Sequence, residues 1–555
     1  MKASTIFLYG PSGSGKSTTG QLLAQNLDLP FYDLDVEITR HIGKSVPEIF
    51  AREGEPAFRQ YEHAELQRIL SGKNETGVLN PLTSGEGRVK KQQLMGNTGK
   101  VIALGGGTLL DSGTRRLAET NGEVLLLYAP VEVLTTRLTN CDDERPLLNG
   151  NVSASLPELL ARRAGHYASF PLKLDTSPLT PEQAAWQAHI LLGLFRVKGM
   201  NHANPGHSSA YDIKVIQGGL AELGTLLINR GLTGSLVLVS DEHVGRLYAK
   251  GMLGALHKSG LTANAILIPP GERHKTMDTV SMLWEAFLSA GLERGSTVIA
   301  LGGGVVSDLA GFAAATFLRG VRWVVLPTSL LGMADASLGG KTGADLPQGK
   351  NLVGAFHPPS LVLADPDTLL TLPLPELRSG LAEVVKHGII ADPELFERCA
   401  SLVNLDKSET IKNEFPEIVR RAMAVKIQVI EEDPFEQGRR AALNLGHTIG
   451  HAVELASGYI LRHGEAVAIG MVVEARLAER IGLADTGLAE TIAGVLQHLG
   501  LPTVIPPGLD REVMVRSMGL DKKRAGGKLR FALPVRIGEV KVGVEIDTLK
   551  SGNLE

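Results

Sequence analysis

The segment GPSGSGKS at residues 10–17 restricts the folds open to this chain more than any other feature. It fits the pattern GxxxxGK[ST], follows an apolar, β-branched run, TIFLY, and precedes a helical period. A strand that turns through glycines into a helix leaves the helix's first backbone N–H groups free to surround phosphate oxygens. Lys16 then reaches the outer phosphates and the Ser17 hydroxyl can hold Mg²⁺. The spacing therefore sets a nucleoside triphosphate against Gly13, Ser14, Gly15, Lys16, Ser17 and Thr18. Such a loop belongs to a parallel sheet with covering helices, and VIALGGG (101–107) and EVLLLYA (123–129) supply further strands.

With 555 residues the chain is too long for one ordinary core. The first α/β alternation runs over residues 1–195. A polar stretch containing KGMNHANPGHSSA interrupts it and reads as a linker over 196–210. A second series, with DIKVIQGG, SLVLVSD, AILIPPGE, TVIALGGG and WVVLPTS, occupies 211–372. Helical patterns then dominate 373–555. Residues 71–99 are rich in Gly, Asn and Lys, lack periodicity, and are expected to form a long surface insertion. A net charge of −4 without a long Lys/Arg block argues against a nucleic-acid partner. The most apolar stretch, 297–340, contains Asp308, Arg319, Arg322, Asp335 and many glycines, which suits an α/β core and not a membrane span. Two cysteines make no disulfide framework, and MKASTIFLYG runs straight into the first strand with no room for a signal peptide. A cytoplasmic location is expected.

In the first unit, Asp33 and Asp35 of FYDLD lie two residues apart, so both carboxylates can point the same way. One could support Mg²⁺ and the other orient an acceptor hydroxyl, although loop acids are common. Arg59 in EPAFR and Arg163 in RAGHY suit a small carboxylate, which a guanidinium grips in bidentate fashion. The run Gly105–Gly106–Gly107 would let backbone approach a ligand, or would simply make a tight turn. With Glu62 and ERPLL (Arg145), this ordered set resembles shikimate kinase over residues 1–193. The resemblance implies an adenylate-kinase-like parallel sheet that uses ATP. It implies that Asp33 supports Mg²⁺ and that Asp35 binds and polarises the accepting hydroxyl. Arg59, Arg163 and Gly105–Gly107 would hold shikimate. Lys16 and Arg145, the latter on a lid, would neutralise the transferred phosphoryl group, with Arg137 near the adenine. The segment between Glu62 and Val101 is longer than that family usually has.

In the second unit, LGGGVVSD (301–308) follows a strand and opens a helix, as a pyrophosphate-binding turn does. PGERHKT (270–276), PTSLLGMADASLGGKTGAD (327–345) and GKN (349–351) add polar groups in non-periodic stretches, where function concentrates. Glu383 opens EVVKH, His447 and His451 lie in LNLGHTIGH, and His463 in RHGEA. By spacing alone, His447 and His451 form an i,i+4 metal pair or sit on a solvated helix face. Nitrogen and oxygen ligands on several helices favour Zn²⁺ with an open position.

This ordered set resembles 3-dehydroquinate synthase over 211–555, which implies a Rossmann-like domain joined to a mostly helical metal-binding domain. The resemblance replaces the spacing pair with Glu383, His447 and His463 as Zn²⁺ ligands (or Co²⁺ in its place), and makes His451 a proton-transfer residue. Lys341, Asn351, Lys386, Lys426, Arg440 and Asn444 would contact substrate, with Lys341, Lys386 and Lys426 counted as catalytic. Asp335 and Glu436 would share that pocket. NAD⁺ would meet Asp241, Glu272, Lys275, Gly302, Gly303, Gly304, Asp308, Thr328, Ser329, Lys341, Lys350 and Thr371. Lys522 or Lys523 would close over the substrate. Pro434 departs from the acidic residue usual in the family. Arg319, in TFLRG, would reach the substrate phosphate of a neighbouring subunit in a homodimer. The implied chemistry turns 3-deoxy-D-arabino-heptulosonate 7-phosphate into 3-dehydroquinate with phosphate release and no net use of NAD⁺. A polyol dehydrogenase of the same fold would not need cations at 341, 386, 426 and 440, and a nucleotide sensor would not need Asp35, Arg59 and Arg163.

Overall fold

The computed structural model describes residues 5–72, 99–140, 152–198, 200–201, 204–208, 210–434, 438–524 and 529–546. The expectations for residues 73–98, Arg145 and Glu436 lie outside this set, as do the side chains of Lys522 and Lys523. The chain divides into two compact units, Met1–Arg196 with Asn229–Gly231, and Val197–Ile228 with Leu232–Glu555.

In the first unit, TIFLY forms β1 (Thr5–Tyr9), buried along its whole length. Continuous apolar strands of this kind suit a sheet covered on both faces. With β2 (Phe31–Asp33), β3 (Val101–Ala103), β4 (Gly122–Tyr128) and β5 (Lys173–Asp175) it makes a parallel sheet ordered β2-β3-β1-β4-β5. Phe7, Tyr9 and Ile102 pack on one face with helical residues such as Leu66, while Ile6 and Leu8 pack on the other with Leu23. The phosphate-loop glycines are required by geometry. Gly13 and Gly15 have φ of 81° and 88°, and a Cβ on Gly10 would lie 2.0 Å from the Leu127 carbonyl oxygen. The loop leads into α1 (Lys16–Leu27). Asp33 then N-caps α2 (Leu34–Ile42), and α3 (Val46–Leu70) bends where Gly54 leaves helical geometry just before Pro56.

The first unit ends inside β6 (Leu194–Val197), and β7 (Met200–Asn201) pairs with β8 (Asn204–Ser208), so the stretch read as a linker contains a short hairpin. The second unit is built on a parallel sheet in the order β11-β10-β12-β13-β16-β9. These are β9 (Tyr211–Val215), β10 (Leu236–Asp241), β11 (Ala263–Ile268), β12 (Thr297–Gly302), β13 (Arg322–Pro327) and β16 (Leu361–Ala364). The hairpin β14 (Lys341–Leu346) and β15 (Gly349–Phe356) stands apart as its own antiparallel pair. The helical part includes α4 (Leu374–Ala391), α5 (Ser408–Glu432), α6 (His447–Ala456) and α7 (His463–Arg480), each of which carries a candidate site residue. The antiparallel strands β17 (Leu529–Arg536) and β18 (Glu539–Ile546) come last. Among the described residues no helix is long and apolar enough to cross a membrane.

Candidate active sites

A cavity of about 850 Å³ in the first unit runs from the phosphate loop past Asp35 and Arg59 to Arg163. At one end the Lys16 ammonium donates to the Pro11 carbonyl at 2.9 Å, and the Ser17 hydroxyl donates to Asp33 Oδ2 at 2.5 Å. The two expected Mg²⁺ supports are thus adjacent. Arg137 donates to the Gly13 carbonyl and to both oxygens of Thr176, so a guanidinium backs the loop.

At the other end, Gly105, Gly106 and Gly107 have no left-handed backbone. Their small size answers to close approach. A Cβ on Gly105 would lie 2.7 Å from Glu62 Oε1 and 3.2 Å from Asp35 Oδ1, and one on Gly107 would lie 2.3 Å from Arg59 Nη2. Arg59 pairs with Glu62 and Glu55, each at 2.6 Å, and Thr108 donates to Glu62. Burial pushes Glu62 up to about 7 against the pull of Arg59. Arg163, Tyr167 and Tyr9 all direct donors at the Gly106 carbonyl, at 3.0, 2.8 and 3.2 Å.

On the nucleotide side of the second unit, β12 ends at Gly302 and the helix Gly304–Thr316 starts from Gly303 without a side-chain cap. Thr328 N–H donates to the Gly302 carbonyl, and Ser329 Oγ accepts from Gly332 N–H, so the next strand end is held beside that turn. Asp241 caps its own helix through His243 and Val244. Lys275 pairs with Asp308 at 2.5 Å and donates to Asn351 Oδ1 at 2.5 Å. Burial raises Asp308 to about 6. Asn351, expected with the substrate, is therefore tied to a residue of the expected nucleotide set. Lys350 lies 4.0 Å from Glu272 and 3.8 Å from Glu454, and Thr371 bonds Tyr248 at 2.6 Å.

On the metal side, Glu383, His447 and His463 come from three different helices, α4, α6 and α7, and offer ligand atoms within 4.8 Å of one another. Each histidine Nε2 is 3.5 Å from Glu383 Oε1. Burial, with the Lys386 charge, holds His447 down to about 3, so its imidazole is neutral, as a ligand must be. Lys386 pairs with Glu383 and holds that carboxyl well below its usual range. Glu383 and Glu454 draw a proton onto His463, up to about 10, and a divalent cation would have to displace it. The donor set fits Zn²⁺. His451 is exposed and belongs to a second group with Glu454 and His463. Its ring is centred 5.3 Å from that of His447.

Around this group, Lys426 on α5 donates to the Asp335 carboxylate and carbonyl, each at 2.6 Å, and this holds the carboxyl of Asp335 well below its usual range. Lys386 also donates to the Leu443 carbonyl at 2.9 Å. Arg440 is buried and donates to the Pro434 carbonyl. Lys341 and Asn444 are exposed, as is Arg319, which has φ of 67°.

The comparisons divide at the same place as the sites. Residues 12–80 and 83–190 match the family model described as shikimate kinase. Residues 265–379 match the 3-dehydroquinate synthase N-terminal model, and residues 380–524 the C-terminal model. The 3-dehydroquinate synthase of Synechococcus sp. is 47% identical over 60% of this chain and 92% of its own length. The chain belongs to the 3-dehydroquinate synthase family, fused to a shikimate kinase. Its activities are those two steps of the shikimate pathway. The 3-dehydroquinate synthase of Symbiobacterium thermophilum is 45% identical over 60% of this chain and 94% of its own length. Among solved structures, ValA, a 2-epi-5-epi-valiolone synthase from Streptomyces hygroscopicus with NAD⁺ and Zn²⁺ bound, is 31% identical. It covers 62% of this chain and 94% of its own, with a TM-score of 0.56.

Several side chains in or beside the shikimate kinase and dehydroquinate synthase sites escaped sequence reasoning: Tyr9, Tyr167, Thr176, Glu454 and, behind His447, Glu474. Glu454 had a usable signal, since it lies three residues after His451 and seven after His447 on one helix face. Tyr9 had none, because a tyrosine ending a buried strand reads as core.

Proposed function

We propose that residues 1–195 transfer a phosphoryl group from Mg²⁺-bound ATP to shikimate, and that residues 211–555 form the NAD⁺- and Zn²⁺-dependent synthase, in the cytoplasm. In the kinase, Lys16 and Arg145 offset charge on the transferred group, and Ser17 and Asp33 hold Mg²⁺. Asp35 takes the acceptor hydroxyl's proton, and Arg59 and Arg163 bind the shikimate carboxylate. Turning Arg163 away from the Gly106 carbonyl and Arg59 from its acids would free both guanidiniums for the ligand.

In the synthase, Glu383, His447 and His463 hold Zn²⁺, and the turn at Gly302–Gly304 with Asp241, Lys275 and Asp308 holds NAD⁺. When bound, NAD⁺ supplies a reversible hydride acceptor and Zn²⁺ polarises substrate oxygens. Lys341, Lys426 and Arg440 bind the substrate's anionic groups, Lys386 and Asn444 orient its hydroxyls, and His451, open to solvent, moves a proton. The convergence of three ligands from three helices beside Lys386 and Lys426 carries this reading. His463→Ala should remove bound zinc and synthase activity while leaving shikimate phosphorylation intact. Zinc lost from His451→Ala and kept by His463→Ala would overturn the ligand set.

The synthase works as a two-fold dimer in which Arg319 reaches the partner's substrate. Its exposure and its place just after the Gly304–Thr316 helix support this reading. Mixing inactive Arg319→Ala with inactive His463→Ala under subunit exchange should restore about a quarter of wild-type sites, by counting from the symmetry. No recovery after verified exchange would refute the shared site.

A further inference from the structure

Helix α6 begins at His447 with an N-cap that cannot cap. Gly446 has φ of 78°, and a Cβ there would lie 2.7 Å from Met471 Cγ and 2.8 Å from the Val467 carbonyl oxygen. Serine, threonine, aspartate and asparagine, the residues that usually satisfy the first N–H groups of a helix, are therefore excluded by space and by backbone conformation. The missing acceptor comes from another helix. Glu474, on α7 and fully buried, accepts from Gly446 N–H at 2.5 Å through Oε2 and from Ile449 N–H at 3.3 Å through Oε1. The Thr448 N–H also bonds this carboxyl. One carboxyl group thus holds the backbone on both sides of His447.

The placement is expensive for a cap alone. Burial pushes Glu474 up to about 8, against the pull of its N–H donors. The buried apolar residues Ile449, Val467 and Met471 lie at this contact, and the Lys386 charge on α4 also acts on the Glu474 carboxyl. The two helices touch through backbone. A Cβ on Gly470 would lie 2.0 Å from the Gly446 carbonyl oxygen, and one on Gly450 would lie 3.1 Å from the Ala466 carbonyl oxygen. Helix α7 starts at His463. The same helix therefore presents one metal-side histidine at its N-terminus and, three turns on, grips the turn that presents the other.

We infer that Glu474 is a positioning residue that fixes His447 relative to His463 and so sets the metal affinity of the synthase. This rests on Glu383, His447 and His463 being the metal ligands. Glu474 is fully buried and its hydrogen bonds are to the backbone N–H groups beside His447. It acts on backbone, where a small rotation of the first turn of α6 would swing the His447 imidazole out of reach of the other two ligands. Groups that orient metal ligands typically change affinity by about 10–100-fold when removed.

The test uses the full-length protein, with zinc affinity measured by competition against a chromophoric chelator. Wild type and His463→Ala come first. Tight binding lost in His463→Ala upholds the ligand set, whereas equal binding by both would overturn that set and this inference with it. Glu474→Leu keeps the volume and removes every acceptor. Its zinc dissociation constant should rise about 10–100-fold, with shikimate kinase activity unchanged. Glu474→Gln keeps one accepting oxygen and should fall between wild type and Glu474→Leu, with synthase kcat restored at saturating zinc. If Glu474→Leu fails to fold in the synthase unit, Glu474→Gln decides alone. Wild-type zinc affinity in a folded Glu474→Gln or Glu474→Leu variant would reduce Glu474 to an ordinary helix cap and refute the inference.

Discussion

Glycine serves opposite ends in the two active regions. In the kinase cavity, Gly105 and Gly107 leave room for the charged side chains of Glu62 and Arg59 to press against backbone, so the space belongs to flexible groups that a ligand can rearrange. In the synthase, Gly446, Gly450, Gly464 and Gly470 leave room for other backbones. A Cβ on Gly464 would lie 2.0 Å from the Ser379 carbonyl oxygen on α4, so α4, α6 and α7 meet at main-chain distance. A site that must rearrange around a hydroxylated acid keeps its slack in side chains. A site that must hold three ligand atoms in one geometry has none to spare.

The sharpest break of this comparison would be failure of the two sites to act separately. Lys16→Ala should lower shikimate phosphorylation by about 10³-fold or more and leave dehydroquinate synthesis unchanged, both assayed on the same preparation. Parallel loss of both activities would show that the phosphate loop regulates the second unit. The glycine contrast itself is next. Gly470→Ala sets a methyl against the Gly446 carbonyl, and neither backbone can yield cheaply. The synthase unit should lose about 3 kcal/mol in denaturant unfolding, along with bound zinc. Gly107→Ala meets only the end of the Arg59 side chain, so unfolding should be unchanged. The KM for shikimate should rise about tenfold as Arg59 is displaced, with the KM for ATP unaffected. If Gly107→Ala unfolded the kinase unit, its glycines would be packing devices like those of the synthase.

A smaller effect separates the units by acidity. His189 is buried in the kinase unit and bonds the Leu194 carbonyl at 2.8 Å, and burial lowers it to about 4. Its folded form resists protonation that the unfolded chain accepts at about 6.5. The stability it lends is therefore complete above that value and is lost as pH falls toward 4. Between pH 6.5 and 5.5 the unit should lose about 1 kcal/mol. His189→Gln should flatten that slope, and a slope unchanged by the substitution would assign it to other groups.

The same contrast governs what could be read from the sequence. The phosphate loop is contiguous, and its three left-handed or crowded glycines are local demands, so the strand–loop–helix and its parallel sheet were legible from one short segment. Ser17 came with it as the last residue of that loop, whereas Asp33 was one of two ambiguous acids in FYDLD until the family resemblance gave it a role. The metal group is different. Helical spacing pairs His447 with His451, and only the crossing of three helices brings His447 to Glu383 and His463, which are 64 and 16 residues away in the sequence. Resemblance to a family supplied what periodicity could not. Glu474 was illegible for the same reason, since an acid within GMVVEARLAER looks like any helix-surface glutamate until the partner helix is in place. The linker reading of 196–210 rests on polar character and on Gly, Pro and His content, and it misses the antiparallel pairing of β7 with β8, strands too short to show a periodicity.

The turn after the Gly304–Thr316 helix stores tension that can be exploited by engineering. Leu318 and Arg319 are consecutive non-glycine residues with left-handed φ, 50° and 67°. Each such residue costs roughly 1 kcal/mol that an ordinary turn would not. Leu318 is more than a third exposed, so little apolar packing would be lost by changing it. Leu318→Asn, which tolerates this conformation without glycine's extra freedom in the unfolded chain, is a ready route to a hardier enzyme. The benefit would come from relaxing a backbone spring, and no new contact would be required.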